Sequence, residues 1–252
     1  MAGHSKWANI KHRKGAQDKK RAKIFTRIIK EITIAARDGG GEPEINPALR
    51  LAIQNAKGAN MPKDTIERAI KKGVGGEGAN LQPVTYEGYG PNGVAVFVEA
   101  TTDNINRTVA SVRSIFTKYG GNLGTNGSLS FIFSQQGVFT IDLESLEGKD
   151  LDEIEMELID GGAEDVERAD EVLIISTSFE DFGNMQKKLD DLGLEPKTAE
   201  VQRIANNSVT LGLEDAKKIL TFIEKMEEDD DVATVYHNLE LTDELLEAIS
   251  EE

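Results

Sequence analysis

The sequence predicts an α+β multidomain fold, and three observations carry that reading. Apolar residues recur at helical spacing through the first 73 positions. From Val138 a self-contained βαββαβ succession follows, the order of a ferredoxin-like domain. The strand and helix patterns on either side of that succession complete each other across it. The expected architecture is an N-terminal three-helix domain with a basic arm, then two ferredoxin-like α/β domains, one inserted in the other.

Each element has a local reason. From Ala16 to Arg37, Ile24, Phe25, Ile28, Ile29, Ile32, Ala35 and Ala36 cluster on one helical face. Lys19, Lys20, Lys23, Arg27, Lys30 and Arg37 fall on the opposite face, which is expected to meet solvent. Asp38 and three glycines stop this helix, and Asn46-Pro47 restarts the chain as a capping residue followed by proline. A second stripe (Leu49, Ala52, Ile53, Ala56) ends at Gly58. Pro62 opens a third helix with Ile66, Ala69 and Ile70, ending at Gly73.

Residues 73 to 83 are glycine-rich and read as a linker. Strands are expected at Val84 to Glu87 and Val94 to Thr101, around the turn Gly90-Pro91-Asn92-Gly93. A helix bearing Val109, Val112, Phe116 and Tyr119 ends at Gly120, and Leu129, Phe131 and Phe133 alternate as a strand. The βαββαβ set then comprises a strand at Val138 to Asp142 and a helix at Leu151 to Asp160. Strands near Glu164 to Glu167 and Glu171 to Ser176, a helix around Met185 and Leu189, and a strand from Lys197 to Ile204 complete it. A helix through Ile219 and Ile223 and a strand from Val232 to Asn238 return to the interrupted pattern. The expected domains are therefore 1–80 (basic, helical, nucleic-acid-binding), 81–134 plus 205–240 (split α/β), 135–204 (inserted) and 241–252 (acidic tail).

Charge is distributed unevenly. The chain of 252 residues has a formal net charge of −16. Residues 1 to 80 hold 17 Lys/Arg and 8 Asp/Glu, a net of +9, whereas residues 81 to 252 hold 12 and 37, a net of −25. A basic segment on an acidic body is a pointer to nucleic acid. The absence of cysteine excludes disulfides, thiolate metal sites and cysteine nucleophiles. No apolar run approaches the ~18 residues of a membrane helix, and no membrane partner is expected. The basic N-terminus is followed by no apolar core, so it does not read as a secretory signal, while its Lys- and Ile-rich, acid-poor composition resembles a mitochondrial transit peptide. The same segment carries the most distinctive motif of the chain, so the expected location is cytoplasmic.

Motifs for catalysis do not assemble. Gly73 to Gly78 and Gly88 to Gly93 match the spacing of a dinucleotide-binding loop. The first follows a helix and the second joins two strands, so neither sets a helix N-terminus against a pyrophosphate. His4 and His12 lie among Lys6, Lys11, Arg13 and Lys14, which suits phosphate rather than a metal cation. His237 falls in a strand and reads as structural. Asp229-Asp230-Asp231 lacks the ligand alternation of a calcium loop and reads as solvated surface closing a helix. No enzyme, metal site or cofactor is expected.

The candidate nucleic-acid-binding residues are His4, Lys6, Trp7, Lys11, His12, Arg13, Lys14, Lys19, Lys20, Lys23, Arg27 and Lys30. Lysines and arginines neutralise phosphates and release counterions. Trp7 has two readings, stacking on an unpaired base or pinning the arm onto the helices. The short Gly58-to-Met61 connection is compatible with a helix-turn-helix.

The segments GHSKWANIKHRK (from Gly3), NAKGANMPKDTIERAIKKG (Asn55 to Gly73) and YEGYGPNGVA (Tyr86 to Ala95) resemble the YebC family of bacterial and organellar proteins, along essentially the whole chain. That resemblance implies a small helical N-terminal domain followed by two α/β domains. It also implies a regulator of gene expression, with members commonly described as DNA-binding transcriptional regulators. Others are described as translational activators that act on ribosomes, at difficult stretches such as consecutive prolines. Expected partners are accordingly DNA, or ribosomal or transfer RNA on the ribosome.

Overall fold

The computed structural model describes residues 17–76, 78, 80–169 and 171–250. Helix α1 (Gln17–Gly39) is followed by α2 (Pro47–Gly58) and α3 (Lys63–Val74). Asn46 caps α2 as its sequence position suggests, its side chain accepting from Leu49 N at 3.1 Å. The amide of the same side chain donates to Ala35 O and Gly40 O, both at 2.8 Å, fixing the end of α1.

Two four-stranded sheets follow. The first comprises β1 (Gln82–Tyr89), β2 (Ala95–Thr102), β3 (Asn122–Leu123) and β8 (Val232–His237), in the order β3-β1-β2-β8 with antiparallel neighbours. Helices α4 (Ile105–Lys118) and α7 (Leu213–Glu227) accompany it. Strand β2 opens on an apolar run, Ala95 to Val98, because both its faces are covered there. Val96, Val98 and Ala100 join Val112 and Phe116 of α4 and Phe222 and Ile223 of α7 in one core. Ala95 and Phe97 point the other way, into a second cluster with Leu129 and Phe133. The turn between β1 and β2 places Asn92 at φ 57° and Gly93 at φ +76°, left-handed conformations that Asn and Gly adopt most readily.

The second sheet comprises β4 (Phe133–Asp142), β5 (Ala163–Ala169), β6 (Val172–Ser178) and β7 (Thr198–Ala205), in the order β5-β6-β4-β7. Helices α5 (Leu151–Asp160) and α6 (Phe182–Asp191) occupy the two crossovers, giving a βαββαβ succession. Phe139 and Ile141 of β4 and Leu173 and Ile175 of β6 bury against Ile154, Leu158, Met185 and Leu189, the period-two face of the strands meeting the apolar stripes of the helices. Burying each such large side chain contributes about 1.5–3 kcal/mol.

The described residues group into two compact units. One contains residues 17–30, Gly78–Ser134 and Ile204 onward; the other contains Glu31 to residue 76 and Gln135–Arg203. In the second unit, α2 is keyed to β7. Asn55 Nδ2 donates to Ala199 O at 3.0 Å, and Asn55 Oδ1 accepts from Ala199 N at 2.9 Å. A Cβ at Gly58 would lie 1.7 Å from Lys197 O, so only glycine fits there. The NAKGANMP segment thus has a packing explanation independent of any ligand.

Three expectations are corrected. Leu129, Phe131 and Phe133 do not alternate in a strand: residues 126–132 form turns, and β4 starts only at Phe133. The cause is Glu87, whose buried carboxylate accepts from Gly127 N and Leu129 N at 2.7 Å each and ties the segment into a loop. The acidic tail contains helix α8 (Asp243–Ser250), whose Leu245 is buried in the first sheet's core. The short strand β3 lies in the glycine-rich stretch after α4, where no periodicity announces it.

Candidate nucleic-acid interface

His4, Lys6, Trp7, Lys11, His12, Arg13 and Lys14 lie outside the described residues. Lys19 and Lys20 fall in the first turns of α1, their side chains outside the description. The remaining candidates, Lys23, Arg27 and Lys30, sit on successive turns of α1 and face the chain itself. Lys23 Nζ donates to Asp229 O at 3.0 Å, and Arg27 Nη1 to Thr234 Oγ1 at 3.2 Å. Lys30 Nζ donates to Asp230 O at 2.8 Å and Thr101 O at 2.9 Å, with Asp231 Oδ1 at 3.7 Å. The face expected to meet solvent is partly buried here. Ile24, assigned to the apolar stripe, is instead 41% exposed. The rest of the apolar stripe stays buried, Ile28 and Ile32 above all, while the turn after α7 and its neighbours give these cations fixed acceptors.

Asp231 is the centre of that turn. Its Oδ2 accepts from Arg107 Nη2 at 2.7 Å, Thr108 Oγ1 at 2.8 Å and Thr102 Oγ1 at 3.2 Å, and its side chain is 13% exposed. Burial alone would raise its pKa. Hydrogen bonds from Arg107 and Thr108, with the charges of Arg107 and Lys30, outweigh burial and hold it below the usual carboxylate range. Asp229 accepts from Ser111 Oγ and, at 2.9 Å, from Asp231 N. The Asp229-Asp230-Asp231 run is therefore a structural acceptor cluster, correcting its reading as solvated surface. Burial lowers the Lys23 pKa despite the attraction of Glu227, Asp229 and Asp230. These groups border a cleft of about 500 Å³ that also receives Glu224, Glu227 and Glu228. With more carboxylates than cations, this cleft repels a phosphate.

Periodicity could not have found this arrangement, because it depends on residues some 200 positions apart; the single available signal was the aspartate run itself. A second set of cations was missed. Helix α3 exposes Lys63, Arg68, Lys71 and Lys72. Lys63 pairs with Glu67 at 3.8 Å and Arg68 with Asp64 at 3.3 Å, while Lys71 and Lys72 have no partner among the described residues. No helix among the described residues is long and apolar enough to cross a membrane.

The chain is thus a mixed α+β protein with N-terminal helices, two antiparallel sheets and a net positive charge over its first 80 residues. It belongs to the TACO1/YebC family: residues 5–76 match the model of the TACO1/YebC protein N-terminal domain, and residues 81–239 that of the TACO1/YebC second and third domain. A protein of Amoebophilus asiaticus named a probable transcriptional regulatory protein is 53% identical over 95% of this chain and 98% of its own length. One of Nitrosococcus oceani with the same name is 53% identical over 98% of both chains. A crystal structure of a conserved hypothetical protein from Aquifex aeolicus superposes with a TM-score of 0.77 at 44% identity, covering 88% of this chain and 91% of that one.

Proposed function

We propose that this chain is a non-enzymatic, cytoplasmic regulator of transcription that binds duplex DNA through the basic residues at its N-terminal end. One observation carries the reading. Residues 1 to 20 hold six Lys/Arg (Lys6, Lys11, Arg13, Lys14, Lys19, Lys20) against the single acid Asp18, on a chain whose net charge is −16. Lys23, Arg27 and Lys30 are engaged by acceptors of the chain, so the DNA contact is assigned to the cations upstream of them. The names of the relatives, probable transcriptional regulatory proteins, agree with this role.

Reversing Lys11, Arg13 and Lys14 to Glu in the full chain is expected to abolish duplex binding without shifting the melting temperature. About six phosphate contacts would give wild type a log–log salt slope near −5. Unchanged affinity of the triple variant in fluorescence anisotropy would overturn the proposal. A ribosome-associated translation factor is the second reading, favoured by Trp7 within the basic run. There Trp7→Ala is expected to weaken ribosome binding by about 1–3 kcal/mol of lost stacking, while duplex binding stays unaffected.

A further inference from the structure

The acidic character of the body has a gap. No Asp or Glu occurs between Asp103 and Asp142, and Arg107, Arg113 and Lys118 give that stretch a net charge of +3. Residues 201–213 are also free of acids. The structure ties the two stretches together: Asn206 N donates to Ile132 O at 2.7 Å, Asn206 Nδ2 to Phe131 O at 3.3 Å, and Ser134 Oγ to Asn206 Oδ1 at 3.0 Å. At their junction Phe131 is 91% exposed, the highest value among the exposed large apolar side chains given for the described residues.

This ring is held rather than left loose. The segment from Gly124 to Ile132 is fixed at both sides of the aromatic. Glu87 O accepts from Gly124 N at 2.7 Å, and the Glu87 carboxylate takes Gly127 N and Leu129 N at the same distance. Leu129 is fully buried with Phe97 and Phe133. A fixed aromatic loses little conformational entropy when something stacks on it. Its polar neighbours along the segment are Thr125, Asn126, Ser128 and Ser130, all exposed. A protein partner's anchor pocket would call for a contiguous apolar patch. A lone ring on a segment of small hydroxyls and amides, where the one bonded carboxylate, Glu87, is buried and tied to two amides, matches an unpaired base with its ribose: the base stacks, and the hydroxyls and amides meet the 2′-OH and the base edge.

We propose that the Gly124–Ile132 loop is a binding site for unpaired RNA, with Phe131 as the stacking residue and Thr125, Asn126, Ser128 and Ser130 as hydrogen-bonding neighbours. This contact uses residues other than the basic ones at the N-terminal end.

The test uses the full chain and a single-stranded RNA of about 12 nucleotides carrying 2-aminopurine, a length within the usual range for single-strand sites. Wild type is expected to quench the fluorescent base. Phe131→Ala is expected to lose the quench at saturation and to bind about 5- to 100-fold more weakly, with unchanged affinity for duplex DNA. Phe131→Trp is expected to restore both. Circular dichroism melting of Phe131→Ala should match wild type, so a loss of binding reports contact rather than folding. Equal quench and affinity in Phe131→Ala, or an equal loss toward duplex DNA, would overturn the site. If the matching deoxyribose strand binds with the same affinity and quench, the assignment to RNA is wrong. The Lys11, Arg13 and Lys14 reversal is scored on duplex DNA and Phe131→Ala on the RNA quench, so failure of the DNA proposal and failure of this one are separable.

Discussion

Two loops beside the first sheet use a buried carboxylate in opposite ways. In the turn at 229–231, Asp231 gathers side chains: a guanidinium, an ammonium and two hydroxyls converge on it. In the loop at 124–132, Glu87 gathers backbone amides and pairs with no cation among the described residues. The first arrangement occupies positive charge that a count along the chain would credit to nucleic acid. The second shapes a loop while leaving its surface free of charge. Charge counts therefore describe supply, and only the structure shows where that supply is already committed.

The largest expected effect comes from breaking the amide clamp. Glu87→Ala removes two charge-assisted hydrogen bonds and leaves two amides facing a void, costing about 3–5 kcal/mol in urea denaturation. Hydrogen exchange at Gly127 and Leu129 should accelerate in step. A cost below about 1 kcal/mol would show that the loop is held by Leu129 alone and would dissolve the contrast.

Asp231→Asn keeps the shape and removes the charge, with an expected cost of about 1–3 kcal/mol. The pH dependence has a defined sign. Because the folded pKa is held below the unfolded value, the contribution is complete above the ordinary carboxylate range and is lost as pH falls through the depressed value, below about pH 4. The Asn variant should show a shallower acid limb in thermal melts. An identical limb in both proteins would mean that the charges of Arg107 and Lys30 are screened.

Lys23→Met should cost less, about 0.5–1 kcal/mol, because relief from desolvation offsets the lost bond to Asp229 O. With its folded pKa lowered, Lys23 binds fewer protons in the folded chain. Wild-type stability should thus rise with pH between that lowered value and the ordinary lysine range near 10.4, and the Met variant should lack this rise. The smallest effect belongs to Phe131→Ala, expected within about 0.5 kcal/mol of wild type because the ring is almost wholly solvated. A larger cost would assign the ring a folding role and remove the reason to seek a ligand for it.

Local chemistry was readable wherever it was local. Asn46-Pro47 announced a capped helix, the Pro91-Asn92-Gly93 turn announced a hairpin, and the βαββαβ succession from Val138 announced the second sheet. What failed was set by distant partners. Leu129 and Phe133 carry strand-like spacing, yet Glu87, more than 40 residues earlier, claims the amides a ladder would need. The basic face of α1 looked solvent-bound because its acceptors lie about 200 positions away. Helix α8 was hidden by its charge: two of its first residues are acidic, which suits a helix N-terminus as well as a tail.

The pairing of Asn55 with Ala199 also bears on self-association. Strand β7 closes one side of its sheet, and a border strand with unpaired peptide groups invites another molecule to add on. The Asn55 amide presents one donor and one acceptor to a single residue of that border, imitating the next strand over. Gly58 admits the helix to the distance this imitation requires. Loosening α2 would thus uncover a sticky rim, and self-association would set in before the sheet itself came apart.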